Sequence, residues 1–383
     1  MKMTYRRRAA ALFTVLILLC LAALSGCGKK EQEQTRTPKL IGQSIIHEPE
    51  FGGVYVTKTI EEFNELGFFY GDSVTVTFSN GYKLDHLPYY SGYFTLSRQP
   101  LLVAYPGYDY IKLAINNGAD LWEMAGLSEN DTADIVLCKS EEFVDVQNAR
   151  DISYTDLRTD YPSDEVFANF RACTGGSLGK NVLYRSASPC DNKYMRASYV
   201  DALIKQDSVN CILDLADDDT KIQGYIAKDG FNSPYFLSLY EDGKVIPVAL
   251  NMNLTSPDFM TKITKGLRQM IEQDGPYLVH CTEGKDRTGF VCMLLEALMG
   301  ASYQEIETDY MTTYENYYFM DKVEEKKTWE IIIEMLLKPM IRDMAGDQNV
   351  DPAKADLQHY AEAFLQAGGL TEEEIATLKA KLS

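Results

Sequence analysis

The strongest constraint in this chain is a cysteine and an arginine separated by five residues and set between an apolar strand and an apolar helix. Pro276-Tyr277-Leu278-Val279 reads as a short buried strand. Phe290-Val291-Cys292-Met293-Leu294-Leu295-Glu296-Ala297-Leu298-Met299 reads as a buried helix that Gly300 can end. Between them lies His280-Cys281-Thr282-Glu283-Gly284-Lys285-Asp286-Arg287-Thr288-Gly289. This loop precedes a helix N-terminus, where unpaired N–H groups and the helix dipole favour an anion. The same environment favours the thiolate of Cys281, so an anion site and a nucleophile are expected to coincide.

With every position of H-C-x-x-G-x-x-R-T-G filled, the loop resembles the active-site signature of the protein tyrosine phosphatase superfamily. The resemblance implies that Cys281 attacks phosphorus and that a phosphocysteine is then hydrolysed. It also implies that Arg287 clamps two phosphate oxygens. Backbone N–H groups from Thr282, Glu283, Gly284 and Lys285 through Arg287 would carry the remaining charge. Thr288 would donate to the Cys281 sulfur, Gly289 would let the helix start close to the loop, and His280 would brace it from behind. No Trp-Pro-Asp acid loop exists in the chain. Asp286 is the first candidate acid, because the Lys285-Asp286-Arg287-Thr288 core resembles a bacterial tyrosine phosphatase family and the myotubularin-like lipid phosphatases. Asp258 is the second candidate, although Ser256-Pro257-Asp258 also reads as a helix start. Leu183-Tyr184-Arg185-Ser186 and Cys211-Ile212-Leu213-Asp214-Leu215 resemble further segments of the bacterial family. The acidic run Asp217-Asp218-Asp219 reads either as a repulsive wall beside the site or as a solvated turn.

The resemblance implies a phosphomonoester substrate, either phosphotyrosine proteins or phosphoinositides, with Lys285 motivating the lipid option. Inositol polyphosphates and a binding lipoprotein without turnover are the rival readings. No cofactor is called for, and His47, His86, His280 and His359 are too scattered to suggest a metal cluster.

Residues 1–26 read as a processing segment: Lys2 and Arg6-Arg7-Arg8, an apolar stretch, then Leu24-Ser25-Gly26-Cys27. The last four fit a bacterial lipobox, which implies lipidation at Cys27 and an extracytoplasmic, membrane-anchored protein. Loss of that segment takes the formal charge from −19 to −23. Such a charge argues against nucleic-acid binding, which needs a basic footprint. Cys211 and Cys292 sit in apolar runs and read as packed thiols. Cys173 and Cys190 flank a glycine-containing turn, and sequence does not set their connectivity.

The remaining length exceeds one usual core. We expect a tether over 27–45, a β-rich domain over 46–160 and a catalytic domain over 165–383. In the first domain Val74-Thr75-Val76-Thr77-Phe78 alternates cleanly before the turn Ser79-Asn80-Gly81. A small barrel or half-open sheet follows from such segments, with the local tyrosines in sheet packing. The second domain alternates strand and helix, predicting an α/β fold: a mixed sheet flanked by helices on both faces, with the cysteine loop at a strand's C-terminal end.

Overall fold

The computed structural model describes residues 37–383 apart from Met252 and Thr255. Cys27 and the processing segment lie outside the described residues. Among those described, no helix is long and apolar enough to cross a membrane.

The N-terminal elements are β1 (Lys39–His47), β2 (Val54–Val56), α1 (Ile60–Glu65), β3 (Ser73–Phe78), β4 (Lys83–Tyr90), β5 (Pro100–Val103), β6 (Ile111–Ile115), α2 (Leu121–Met124) and β7 (Thr132–Lys139). The strands close into a barrel in the order β1-β2-β6-β5-β4-β3-β7. Closure leaves no open edge to template aggregation. The period-two pattern of β3 sends Val74, Val76 and Phe78 inward against Phe63, Phe68, Tyr89 and Ile135. Tyr89 and Tyr90 are buried in sheet packing, and Tyr93 and Tyr108 share a 3.0 Å hydroxyl contact. The tether expected over 27–45 is corrected at its C-terminal end. From Lys39 the chain is strand β1, because it finds antiparallel partners in β7 and β2.

Helix α3 (Val144–Arg150) leads out of the barrel, followed by α4 (Asp164–Ala168), β8 (Arg171–Ala172), β9 (Leu183–Ser186), α5 (Ala197–Gln206), β10 (Cys211–Asp214), α6 (Asp219–Ile226), α7 (Pro234–Glu241), β11 (Val245–Pro247), α8 (Pro257–Ile271) and β12 (Tyr277–His280). Then come α9 (Asp286–Leu298), α10 (Tyr303–Tyr318), α11 (Lys326–Ile332), a π-helical turn over Ile333–Leu337, α12 (Lys338–Ala345), α13 (Leu357–Ala367) and α14 (Glu372–Leu382). The second sheet runs β11-β10-β12-β9-β8. Its first four strands are parallel, and only β8 pairs antiparallel. This is the expected mixed α/β sheet. β12 is buried throughout, as a central parallel strand covered on both faces must be. Helix α9 is apolar on every side and buried from Thr288 to Leu298, which makes it the spine of the larger core. A π turn separates α11 from α12, and Trp329, Ile332 and Leu337 stay buried across it.

Asp217-Asp218-Asp219 is neither wall nor fully solvated turn. Asp218 caps α6 by accepting from Lys221 N, Asp219 sits in its first turn, and Asp217 points inward and is buried. All six cysteines among the described residues are free, Cys173 and Cys190 included.

Residues 38–383 form one compact unit. Its interior holds a three-way ion pair. Asp309 accepts from Arg185 Nη1 at 2.5 Å and from Arg171 Nε at 2.8 Å. Burial opposes the Asp309 charge, but the two guanidiniums win and hold its carboxyl down at about 2. Asp309→Asn would leave the buried Arg185 guanidinium and the partly buried one of Arg171 without their carboxylate, and urea unfolding should show a loss of about 3–5 kcal/mol. Asp258→Ala breaks only the exposed 3.0 Å pair with Lys262 and should cost no more than about 1 kcal/mol. An unfolded aspartate titrates near about 3.9. The depressed carboxyl therefore contributes fully above about pH 4 and loses its contribution as pH falls toward about 2. Acid unfolding in that window should flatten in Asp309→Asn; an unchanged acid branch would remove Asp309 as its source.

Candidate active site

The cysteine loop leaves the C-terminal end of β12, flanked by β10 on one side and β9 on the other. Helix α9 begins at Asp286, so the loop folds back over the start of its own helix. Among the described residues, none of the backbone N–H groups from Thr282 to Arg287 has a hydrogen-bond acceptor. Unpaired donors curled around a helix N-terminus make an anion cradle. Gly284 makes the curl possible. Its φ is +69°, and a Cβ there would lie 2.2 Å from the Ser186 carbonyl oxygen. Gly289 serves a different end: a Cβ would come within 3.0 Å of the Tyr310 ring, so its absence lets α10 pack close.

The loop's carbonyls are held from behind, which turns its N–H groups forward. Arg185 Nη2 donates to Gly284 O at 2.9 Å, and Asn169 Nδ2 donates to the same oxygen at 3.2 Å. Ser188 N donates to Thr282 O at 3.2 Å, and the Tyr317 hydroxyl donates to Glu283 O at 2.6 Å. The Tyr154 hydroxyl donates to the Glu283 carboxylate, and its ring stacks on Tyr317 at 4.8 Å. Arg196, only 2% exposed, lies against the Tyr154, Phe167 and Tyr317 rings and donates to Asp156 and to the Phe167 carbonyl.

His280 is wholly buried behind the loop, with Nδ1 3.4 Å from Cys281 O. Burial pushes it down to about 4, which keeps the ring neutral at pH 7. Burial likewise pushes Asp214 up to about 7 and Asp217 up to about 6. One ligand atom each from Cys190, Asp214 and Asp217 lie within 4.8 Å of one another, as do those of Cys173, Glu296 and Asp309. These are the trios among the described residues that could hold a metal ion. In the second, Asp309 is already committed to Arg171 and Arg185.

Cys281, Thr282, Glu283, Gly284, Lys285, Asp286, Arg287 and Thr288 all lie on the one turn between β12 and the start of α9, and Cys281 is 3% exposed. Arg287 Nη1 donates to Leu250 O and Nη2 to Thr282 Oγ1, each at 3.2 Å, so the guanidinium is braced across the loop. The Thr288 hydroxyl is buried without a partner, and the bond to the Cys281 sulfur is not formed. Lys285 Nζ lies 3.3 Å from the Tyr318 hydroxyl and 3.8 Å from Glu283. Burial works against its charge, but Asp286, Tyr318 and Glu283 hold it well above lysine's ordinary range. Asp286 has no hydrogen bond or ion pair among the described residues, and its side chain is half-buried. Asp258 instead spends its carboxylate on Lys262 at the start of α8. Sequence reasoning missed Asn169, Arg171, Arg196 and Asp309. Only tertiary contact reveals them, although a charged residue inside the apolar face of α10 was a signal for Asp309.

The sequence profile of the tyrosine phosphatase family matches residues 142–383. No curated protein matches the sequence. Among solved structures, an uncharacterized conserved protein from Thermotoga maritima shares 21% identity over 26% of this chain, with a TM-score of 0.22. That alignment spans 36% of the Thermotoga chain. A cysteine-to-serine variant of P. aeruginosa TpbA, in complex with pTyr, shares 14% identity over 50% of this chain and 88% of its own, with a TM-score of 0.27. The core catalytic domain of the PP-IP phosphatase SIW14 from S. cerevisiae, in complex with citrate, shares 19% over 49% of this chain and 93% of its own, with a TM-score of 0.26. These structural overlaps are too weak to bear on this chain's chemistry; the profile match spans well over half of the sequence. The cysteine loop, its parallel sheet and that match place the chain in the tyrosine phosphatase family of cysteine-dependent phosphatases.

Proposed function

We propose that the protein is an exported, membrane-tethered phosphomonoester phosphatase that acts through a phosphocysteine, on phosphotyrosine proteins or phosphoinositides. One observation carries this reading: Cys281 opens a ring of unbonded N–H groups that Arg287 closes. Tethering and export rest on Cys27 and the segment before it, and the substrate classes on the loop's resemblance.

In the first step the Cys281 sulfur attacks phosphorus and the bond to the leaving oxygen breaks. The unpaired Asp286 carboxyl is the group free to give that oxygen its proton. In the second step water attacks phosphorus, Asp286 takes a proton from it, and the P–S bond breaks to return the thiolate. The partnerless Thr288 hydroxyl supports that thiolate as it leaves. The loop N–H groups and Arg287 hold the equatorial oxygens through both steps, where fixed donors lower the barrier most.

Phosphate release by residues 38–383 should therefore vanish in Cys281→Ser while vanadate binding persists; substantial turnover by that variant would falsify the cysteine nucleophile. Asp286→Ala should slow a poor alkyl leaving group roughly 10²–10⁴-fold and an activated aryl phosphate far less, the signature of a lost general acid. The same leaving-group dependence in Asp258→Ala instead would transfer the role to that residue. Gly284→Ala should abolish both turnover and vanadate binding, since its Cβ cannot coexist with the Ser186 carbonyl. Retained vanadate affinity in that variant would show that the loop tolerates another path.

A further inference from the structure

Asp286 is half-buried. With Lys285 it floors a cavity of about 210 Å³, and the rest of that cavity is built partly by the N-terminal half of the chain. Tyr314 and Tyr318 of α10 form one side; Phe94, from the segment after β4, and Arg150, the last residue of α3, form another. The two halves are fastened here. Helix α3 packs on α11, and Lys327 Nζ lies 2.6 Å from Asp145.

Arg150 is the unusual member. Its guanidinium lies 5.3 Å from the Phe94 ring centroid, yet among the described residues it has no hydrogen bond and no ion pair. A guanidinium carries five donors in a rigid fork suited to an oxyanion. The ordinary role of a cation at a helix C-terminus is to face the helix carbonyls. That role does not explain a half-buried side chain stacked on an aromatic ring in a cavity wall. In a chain with a formal charge of −19, two cations meet here, and Asp286 is the only acid among the cavity's lining residues.

The cavity's place relative to the chemistry follows from proton transfer. A proton donor must come within hydrogen-bond reach of the leaving oxygen. If Asp286 is that donor, the rest of the leaving group must enter the space that Asp286 lines. With its proton in place Asp286 is neutral, and the cavity then presents Arg150 with no ion pair among the described residues, beside Lys285, whose remaining carboxylate neighbour is Glu283 at 3.8 Å.

We propose that Arg150, held by Phe94, forms with Lys285 a second-anion subsite that selects substrates whose leaving group is a ring polyol bearing a further phosphate. The assignment rests on the phosphatase reading above and narrows it. Arg150 acts in recognition, as a specificity-determining residue, and takes no part in bond making. The tyrosine and phenylalanine walls suit the faces of a compact ring, and the two cations suit a phosphate on its edge.

The test reads binding, so that turnover is not required. In full-length Cys281→Ser protein, calorimetry should show a soluble myo-inositol bisphosphate with adjacent phosphates binding at least tenfold tighter than the monophosphate. Adding Arg150→Gln should reduce that ratio below threefold, and adding Phe94→Leu should reduce it part of the way. A ratio untouched by Arg150→Gln overturns the subsite. So does a loss confined to an acidic phosphotyrosyl peptide, which would assign Arg150 to protein recognition. The same headgroup on a phosphoinositide in phosphatidylcholine vesicles should show the same Arg150 dependence. Dependence in vesicles alone would place Arg150 against the bilayer and likewise overturn the proposal. Aryl phosphate turnover by the Cys281-intact parent, run beside these assays, reports separately on the phosphatase reading.

Discussion

A loop that binds an anion through its backbone must point several N–H groups the same way, and no side chain of the loop can do that for it. Here the direction is imposed through carbonyls. Arg185 and Asn169 pull the Gly284 oxygen inward, Tyr317 pulls that of Glu283, and the peptide planes turn their N–H ends toward the crater. Arg185 can be spent this way because Asp309 neutralises it in the interior. A buried ion pair is often no better than packed hydrocarbon for stability alone. This one holds a fixed polar environment in place before any substrate arrives, which is where electrostatic catalysis gains most.

The electrostatics behind the loop follow the same logic. His280, Asp214 and Asp217 are all driven toward their neutral forms by burial. Burial thus opposes negative charge under Cys281 without abolishing it: near pH 7 Asp214, at about 7, is in mid-titration, and Asp217, at about 6, remains largely a carboxylate. On the loop itself Arg287, Lys285 and Glu283 are only partly buried and remain accessible to solvent or substrate.

Much of the catalytic half was legible in the sequence because its signals are local. The apolar run of β12, the glycine-bearing loop and the all-round apolar α9 each specify their own conformation. The hairpin joining β3 and β4 was legible for the same reason, through alternation and an Asn-Gly turn. What stayed hidden depends on contacts between distant segments. Asp309 lies 124 residues from Arg185, and Asp217 looked like part of a solvated run because burial cannot be read from charge alone. The start of β1 was hidden too: its few apolar positions become a strand only when β7 supplies the partner. Arg150 carried no local signal at all, since its meaning comes from Phe94, 56 positions earlier in the chain.

The barrel closes on itself and buries its own core, so its folding does not depend on the cysteine loop. Yet one stretch of its chain, around Phe94, also serves as a wall beside the reacting centre. The two tasks thus draw on different sets of residues. Substitutions around Phe94 can reshape what enters the cavity while Cys281, Arg287 and their buried supports stay as they are. Such an arrangement gives a lineage room to change its diet without relearning its chemistry.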